Sequence, residues 1–208
     1  MTEKPISQSS DGPPPEPRHL SDLNAVRETV LAMLADGVAD RTAPANRPAL
    51  ATVGTDGLPQ VRTVVLRAFD PASRTLMIHV DIRSGKIQEL AAQPQAALHV
   101  YDPAREAQFR LACHVKVHRA GAVHERAWAD KPHLSRVHYT VAATPGQPIA
   151  GPGDAEIAGG SGDAGKENFA VLELEIQGIE WLYIGSRGHR RARFQWDGNA
   201  WEGTWLVP

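Results

Sequence analysis

The sequence lacks several features that would define a protein class. It has one cysteine, Cys113, so no internal disulfide framework can form. No apolar run approaches the roughly 18 residues that a membrane helix needs, so we expect no membrane partner. The formal net charge is −2, which gives no overall attraction to nucleic acid. Residues 1–18 are polar and proline-rich and lack the apolar core of a signal peptide, so we expect a cytoplasmic protein.

The composition is that of a soluble globular chain, with 42% apolar and 22% charged residues. On this basis we expect a disordered lead-in over residues 1–18 and a single domain over 19–208, although the length alone also allows two small domains. Residues 142–166 are rich in Gly, Pro, Ala and Asp without periodicity, which predicts a flexible loop.

Short strands dominate the predicted secondary structure. A first helix is expected to begin after Ser21 as N-cap and to end at Gly37. Ser84 is placed to cap a short helix that stops before Pro94, and residues 123–139 are predicted helical with a break near Pro132. Strands are predicted at 49–54, 60–68, 75–80, 96–101, 108–119 and 169–176, and two or three more around 178–184, 191–196 and 201–207.

The connections between these strands decide the predicted fold. Asp56-Gly57 is a strong hairpin signal because both residues tolerate positive φ. This set of short strands with few helices, mostly joined as hairpins, indicates a closed or nearly closed antiparallel barrel. A β-sandwich is the alternative that the pattern leaves open.

Two basic segments indicate an anion-binding site. The strand residues Arg62 and Arg67 place a cation at each end of an otherwise apolar run, which is costly to bury without an anionic partner. Arg83, Ser84 and Lys86 surround a predicted helix N-terminus, where free N–H groups and the helix dipole favour phosphate. A solvated turn with ordinary surface charges is the alternative interpretation.

In order and spacing these segments resemble the pyridoxamine 5′-phosphate oxidases and their flavin-binding relatives. The resemblance covers roughly residues 48–208 outside the glycine-rich loop. The matching motifs are Arg62 to Arg67, His79-Val80, Arg83-Ser84 with Lys86, Gln93 to Ala96, Gln108, and His189 to Phe194.

The resemblance implies a mainly β protein with flanking helices, an antiparallel split β-barrel that binds FMN. It also implies a homodimer with the flavin site at the subunit interface, an oxidoreductase activity and a small-molecule substrate. The implied cofactor-binding residues are Arg62, Thr63, Val64, Val65, Leu66 and Arg67 along the flavin, His79 and Val80, Arg83, Ser84 and Lys86 at the phosphate, Gln108 from a neighbouring strand, and Arg193 near the ring.

Departures from the family pattern concern the substrate side. The family carries Arg-x-His before its Arg-Phe pair, whereas this chain has His189 and Arg191 in the reverse order. Lys131 and Ser135 lie where the family places a phosphate-binding pair. These four are the substrate-side candidates, and the exchanged pair predicts poor turnover of pyridoxamine phosphate. The combination of residues 81–86 with residues 188–191 resembles a divergent branch of the family. No catalytic residue can be assigned, and Arg191 or Arg193 is the candidate for stabilising reduced flavin.

For the histidine, cysteine and tryptophan candidates the sequence pattern favours structural roles. His114 and His118 share a strand face with Lys116, which predicts a solvated face rather than a metal site. Cys113 lies on the apolar face and is interpreted as a buried, inert thiol. Trp181, Trp196, Trp201 and Trp205 are expected to pack in the barrel core or a dimer interface. A non-catalytic flavin-binding redox sensor or carrier, and a related barrel that binds haem or a deazaflavin, are the alternative functions.

Overall fold

The structure is a computed structural model that describes residues 20–155, 163–186 and 188–208. The expected lead-in, residues 1–18, lies outside the described residues, as does 156–162 of the expected loop. The strands are β1 Ala49–Val53, β2 Pro59–Thr63, β3 Leu66–Asp70, β4 Thr75–Asp81, β5 Gln95–Asp102, β6 Ala107–His118, β7 Phe169–Tyr183, β8 Arg190–Trp196 and β9 Trp201–Leu206. The helices are α1 Leu23–Ala39, α2 Gly85–Ala92, α3 Ala122–Ala129 and α4 His133–Arg136.

All nine strands form one antiparallel sheet that curves back on itself. Its main path runs β2-β1-β5-β6-β7-β4-β3. The two strands at the ends of this path, β2 and β3, are joined by only Val64 and Val65, so the path nearly closes into a barrel. Strand β7 pairs with β4 along 169–175 and with β8 along 178–183, so one edge of the barrel splits into two branches. The predicted antiparallel barrel is confirmed.

The barrel interior is filled by alternate residues of each strand. Along β6 the side chains of Phe109, Leu111 and Val115 are buried, while Gln108 and Arg110 point outward. This alternation follows from the two-residue period of a strand. Burying each large apolar side chain contributes about 1.5–3 kcal/mol, so the inward set fixes the register and thereby the outward positions that could bind a ligand.

The first helix differs from its prediction at both ends. Its N-cap is Asp22 rather than Ser21, and the Asp22 carboxylate accepts a hydrogen bond from the Ala25 N–H at 2.8 Å. The helix also continues past Gly37 to Ala39. A Cβ on Gly37 would lie 2.6 Å from the Ala45 carbonyl carbon. The glycine therefore allows a close approach to the next segment and does not end the helix.

Two strand predictions were wrong in their boundaries. The predicted strand 60–68 is two strands, because the chain turns at Val64, whose N–H donates to the Pro48 carbonyl at 3.0 Å. Conversely, the predicted strands 169–176 and 178–184 are the single strand β7. Gln177 is the extra residue of a bulge, because Cys113 pairs with Ile176 and Ala112 with Gly178. A bulge lets β7 bend from one branch of the barrel to the other.

The segment after β6 breaks at Pro132 as predicted, with α3 before it and α4 after it. Trp128, Tyr139 and Phe169 form a second, smaller core beneath these helices. Their rings meet edge-on or tilted, with centroids 5.3 to 6.0 Å apart. None of the helices in the described ranges is long and apolar enough to cross a membrane.

Candidate functional site

The start of helix α2 has the features of a phosphate site. Ser84 is the residue before the helix, but its hydroxyl donates to the Asp81 carbonyl at 2.6 Å and accepts from Lys86 Nζ at 2.9 Å. No side chain in the described part of the chain therefore caps the helix. Burial lowers the pKa of Lys86, and the positive charge of Arg62 lowers it further. Uncapped N–H groups beside a desolvated ammonium favour an anion.

Arg83 is engaged in the protein rather than free at this site. Its Nε and Nη2 donate to the two carboxylate oxygens of Asp81 at 3.0 and 2.7 Å. Its Nη1 donates to the carbonyls of Val141 and Ala142 at 2.9 and 3.3 Å. The hydrogen bonds to Asp81 raise the pKa of Arg83. The structure thus places Arg83 beside the helix start but with most of its N–H donors already used within the protein.

The neighbouring run from Arg62 to Leu66 contacts α2 through Arg62. Arg62 forms an ion pair with Glu89 of α2 at 2.9 Å and a hydrogen bond with Thr52. Thr63 is exposed and Val65 half-buried. Val64 and Leu66 are buried in the core, as is Val80. These three buried residues can therefore face a cofactor only through backbone groups.

A cavity of about 440 Å³ brings four of the predicted residues together. We call it the basic cavity. Strands β3 and β4 supply Arg67 and His79 to it, and the α3–α4 region supplies Lys131 and Ser135. The remaining lining residues are Arg41, Ala68, Met77, Val123, Arg126, Ala127, Asp130 and Pro132. Among these, Arg41 and Arg126 were not predicted, because the sequence gives no signal that their segments meet.

The positive charges around the basic cavity shift the pKa values of residues that line it. Burial and the nearby charge of Arg67 lower the pKa of Lys131 to about 8. Burial, followed by the charges of Lys131 and Arg67, lowers the pKa of His79 to about 3. The His79 ring lies edge-on to Phe169, with centroids 5.0 Å apart, and its Nδ1 has no hydrogen-bond partner among the described residues. At neutral pH His79 is therefore an uncharged imidazole in a cationic cavity.

A second group of predicted residues lies on the outer face of β5 to β8. We call it the strand groove. Here Gln108 Oε1 lies 2.8 Å from His99 Nε2. Glu180 binds both Arg191, whose Nε donates at 3.1 Å, and Arg110. Burial raises the pKa of Glu180, but the hydrogen bonds from the two arginines outweigh this and lower the pKa below its ordinary value. Glu180 was missed because a strand glutamate has no distinctive sequence signal.

The other residues of the closing segment do not join one cluster. Arg193 is exposed and lines an adjoining groove with Gly178 and Gln195. His189 is exposed and precedes β8. The four substrate-side candidates are therefore divided, with Lys131 and Ser135 at the basic cavity and Arg191 at the strand groove.

The two groups lie near opposite ends of β7. His79 pairs with Val171, whereas Gln108 pairs with Leu182, eleven residues further along the same strand. At about 3.2–3.4 Å per residue a straight strand would separate the two pairing positions by roughly 35 Å, which is an upper limit because β7 bends at the Gln177 bulge. The basic cavity and the strand groove therefore lie toward opposite ends of β7.

The remaining candidates have structural surroundings. His118 lies 3.1 Å from Glu173, and no group of three or more His, Cys, Asp or Glu residues that could hold a metal occurs in the described ranges. Burial raises the pKa of Cys113 to about 12. Trp181 is buried in the core, as predicted. Trp196 contacts Trp201 edge-on and carries the Arg74 guanidinium 3.8 Å above its ring.

Solved structures share this architecture. A pyridoxamine 5′-phosphate oxidase-related, FMN-binding protein from Nostoc punctiforme matches with a TM-score of 0.68 and 23% identity, over 88% of this chain and 96% of that one. PhzG from Burkholderia lata, solved with tetrahydrophenazine-1-carboxylic acid, matches with a TM-score of 0.71 and 20% identity, over 93% of this chain and 97% of that one. The fold is the split β-barrel of this class of proteins.

Sequence relatives define the family within that class. The family model "Pyridoxamine 5′-phosphate oxidase, FMN-binding domain" matches residues 28–119. Pyridoxine/pyridoxamine 5′-phosphate oxidase 2 of Arabidopsis thaliana is 31% identical over 143 residues, which are 65% of this chain and 72% of that protein. The chain belongs to the pyridoxamine 5′-phosphate oxidase family. It covers less of a second relative, the oxidase of Xanthomonas oryzae pv. oryzae, which is 32% identical over 57% of this chain and 60% of its own length.

Proposed function

We propose that this chain binds FMN between two copies of itself and acts as an oxidoreductase on a small organic anion. The observation that carries the proposal is that the phosphate end and the ring end of the candidate site lie toward opposite ends of β7: Asp81, which precedes the start of α2, pairs with Phe169, whereas Gln108 pairs with Leu182. In the proposed dimer the two groups of residues that contact one flavin therefore come from different subunits. A symmetric dimer then forms two equivalent sites. Residues 19–208 act as one domain in this arrangement.

The residues present fit the phosphate end of FMN. The N-terminus of α2 is uncapped, and the Lys86 ammonium and the Ser84 hydroxyl lie beside it. Within the described ranges the Lys86 ammonium has only the Ser84 hydroxyl as hydrogen-bond partner, so its remaining N–H groups can donate to phosphate oxygens. Gln108 and Arg193 of the other subunit would contact the ring end. Bound flavin supplies hydride-transfer chemistry, which the protein side chains cannot provide.

The basic cavity then holds the substrate. Arg67 and Lys131 attract its anionic group, and Ser135 offers a hydroxyl donor. Met77, Val123 and Ala127 give the cavity apolar walls, which exclude water from the organic part of the substrate. Neutral His79 can orient a substrate polar group as a hydrogen-bond donor or acceptor without adding charge.

A complementation experiment tests the shared site. Lys86→Glu disables the residues that bind the FMN phosphate, and Arg193→Glu disables those that contact the flavin ring. Each variant alone should bind almost no FMN. After the two are mixed under conditions that exchange subunits, half of the dimers are mixed, and each mixed dimer has one intact site. We therefore expect about a quarter of all sites to bind FMN again, measured by flavin fluorescence quenching.

Lys116→Glu is the matched control, because Lys116 is an exposed cation on β6, the strand that also carries Gln108. It should bind FMN normally. Failure to regain binding on mixing, although each variant folds and exchanges subunits, would refute the shared site. Binding of FMN by a monomer at full affinity would also refute it.

A non-catalytic flavin carrier or redox sensor is the second candidate. One observation favours it: the Arg191 guanidinium is bound by Glu180 and is not free to hold a substrate. The FMN-loaded protein should then show no turnover across a panel of amine donors and electron acceptors. Turnover with any of them at a rate above free flavin would exclude the carrier role.

A further inference from the structure

A closed set of hydrogen bonds joins Arg62 of β2, Thr52 of β1 and Glu89 of α2, and we call these residues the Arg62 triangle. Arg62 pairs with Leu50, so Thr52, two residues further along β1, lies on the same face of the sheet as Arg62. The Thr52 hydroxyl accepts a hydrogen bond from Arg62 Nη1 and donates one to Glu89. Arg62 Nη2 donates to both carboxylate oxygens of Glu89, at 2.9 and 3.2 Å. Each residue of the triangle therefore binds the other two.

The Arg62 triangle is largely shielded from water. Thr52 is only 5% exposed, and the side chains of Glu89 and Arg62 are 12% and 23% exposed. A carboxylate with this little solvent is stable only when it is paired and hydrogen-bonded. Both conditions are met by its two partners. The Arg62 side chain is thereby held in one rotamer, so a ligand that binds to it does not incur the entropy cost of ordering a flexible side chain.

The Arg62 triangle lies at the first turn of α2. Glu89 is four residues after Gly85, the first residue of the helix, so the two positions share one helix face. Glu89 Oε1 lies 3.6 Å from the position that a Cβ on Gly85 would take. The positive charge of Arg62 also lowers the pKa of Lys86, as expected for two cations that lie close together. Arg62 is thus a second cation beside the uncapped helix start.

Arg62 keeps donors for a ligand although it is held within the protein. Its contacts use Nη1 and Nη2, and its Nε has no hydrogen-bond acceptor among the residues that the structure describes. A guanidinium can therefore bind an anion through its remaining N–H groups while Glu89 and Thr52 fix its position. Arg83 differs, because most of its donors are used within its own turn and by the carbonyls of residues 141 and 142.

We propose that Glu89 is a positioning residue of the flavin site, which holds the Arg62 guanidinium toward the FMN phosphate while Thr52 fixes the Glu89 carboxylate. Glu89 acts only through Arg62, because a carboxylate by itself repels phosphate. This inference rests on the proposed function in one respect, the assignment of the FMN phosphate to the start of α2.

The substitution Glu89→Gln tests the direction of the effect, because it keeps the size of the side chain and removes its charge. If Glu89 positions Arg62, the Kd for FMN should rise about tenfold, whereas the Kd for riboflavin, which lacks the phosphate, should change less than about twofold. The measurement is titration of the flavin-free, full-length protein with each flavin, followed by fluorescence quenching. Tighter binding of FMN by the variant would show that the carboxylate only repels phosphate, and would overturn the proposal.

Glu175→Gln is the matched control, because Glu175 also forms an ion pair with an arginine, Arg74, at 2.6 Å. Its loss should leave the affinity for both flavins unchanged. A double-mutant cycle then separates positioning from support of the fold. In an Arg62→Met background, Glu89→Gln should no longer weaken FMN binding. An equal loss of FMN affinity in both backgrounds would show that Glu89 does not act through Arg62.

Thr52 gives a second pair of variants, which keeps the proposal testable if Glu89→Gln fails to fold. Thr52→Val removes the hydroxyl at nearly constant volume and should weaken FMN binding but not riboflavin binding. Thr52→Ser keeps the hydroxyl and should retain the parent affinity. Equal affinities of the valine and serine variants for FMN would contradict the role of Thr52. FMN binding by the unaltered protein with no change in Glu89→Gln refutes only this inference, whereas absence of FMN binding by the unaltered protein refutes the proposed function as well.

Discussion

The guanidinium of Arg83 and the carboxylate of Asp81 form a two-point contact across one turn, with N–O distances of 3.0 and 2.7 Å. The remaining terminal nitrogen of Arg83 ties this turn to the carbonyls of residues 141 and 142. Two cations beside a helix start thus have different roles. Arg83 holds the turn in shape, and Lys86 is left as the cation with donors to spare.

Separate variants distinguish these roles. Lys86→Ala removes one charge-assisted contact to phosphate, worth about 1.5–3 kcal/mol, so FMN affinity should fall by roughly tenfold to a hundredfold. Riboflavin, which lacks the phosphate, should bind as before. Arg83→Ala should lower the melting temperature and weaken both ligands alike. Titration of both variants with both flavins is the measurement, and equal losses of the two ligands in Lys86→Ala would show that Lys86 holds no phosphate.

Much of the fold could be predicted because it follows from local patterns. The two-residue alternation located most strands, and Pro132 correctly marked a helix break. The boundaries at Val64 and Gln177 could not be predicted, because both depend on which distant strands pair with each side of the chain. A run of strand-favouring residues has the same sequence pattern whether the strand continues straight, turns or bulges.

The candidate site was predictable to the extent that its residues are contiguous. The cations near α2 stand close together in sequence and in space. The basic cavity instead joins Arg41, Arg67 and Arg126 from three segments whose spacing carries no common motif. The role of Glu180 could not be predicted either, because it depends on the arginines that the neighbouring strands β6 and β8 place beside it. Ion pairs formed across strands have no signature in a single sequence.

The end of the predicted flexible loop is expected to support the second core. The Trp128 indole N–H donates to Asp163 Oδ1 at 2.7 Å, and Trp128 is only 2% exposed. Asp163→Ala removes this acceptor, and because the Asp163 side chain is 74% exposed, water can replace part of the contact. The free energy of unfolding should therefore fall by about 0.5–1.5 kcal/mol. Denaturant unfolding followed by tryptophan fluorescence measures the loss.

Asp154→Ala is the control for this prediction, because Asp154 lies on the same loop and, among the residues that the structure describes, accepts only from the exposed backbone of residues 150 and 151. It should change the stability by less than about 0.5 kcal/mol. Asp163→Asn keeps an acceptor oxygen and should retain most of the stability. Equal effects of the two alanine variants would show that the Trp128 contact does not stabilise the fold.

The buried imidazole of His79 should make the protein sensitive to acid. Its pKa is about 3 in the folded protein, against an ordinary value of 6.5. Between these values the unfolded chain binds the proton more readily. His79 therefore stabilises the fold fully above about pH 6.5, and this stability is lost as the pH falls toward 3. His79 alone cannot contribute more than about 1.4 kcal/mol per pH unit to the slope of the unfolding free energy against pH.

His79→Gln isolates this contribution, because glutamine does not titrate. We expect its unfolding free energy, measured by urea denaturation, to fall less steeply than that of the parent between pH 6.5 and 4. The measurement is the difference between the two slopes, which cancels the carboxylates that both proteins share. Parallel curves would contradict the low pKa of His79.

The exchanged pair His189 and Arg191, near β8, affects which substrate the protein can oxidise. The family order is Arg-x-His, whereas here His189 is exposed just before β8, and Arg191 two residues later is bound to Glu180. Two residues along a strand move the guanidinium by about 6–7 Å. A misplacement of even 1 Å can cost about a hundredfold in rate. We therefore expect the FMN-loaded protein to oxidise pyridoxamine phosphate at least about a hundredfold more slowly than a true oxidase.

Oxygen consumption with pyridoxamine phosphate as donor tests this, with the Arabidopsis relative as the reference enzyme. The double variant His189→Arg with Arg191→His restores the family order and should raise the rate, more so when Glu180→Gln also removes the carboxylate that binds position 191. The same exchange leaves the phosphate end of the site untouched, so FMN affinity should not change. Efficient turnover by the unaltered protein would refute the argument from the exchanged pair and make pyridoxamine phosphate its substrate.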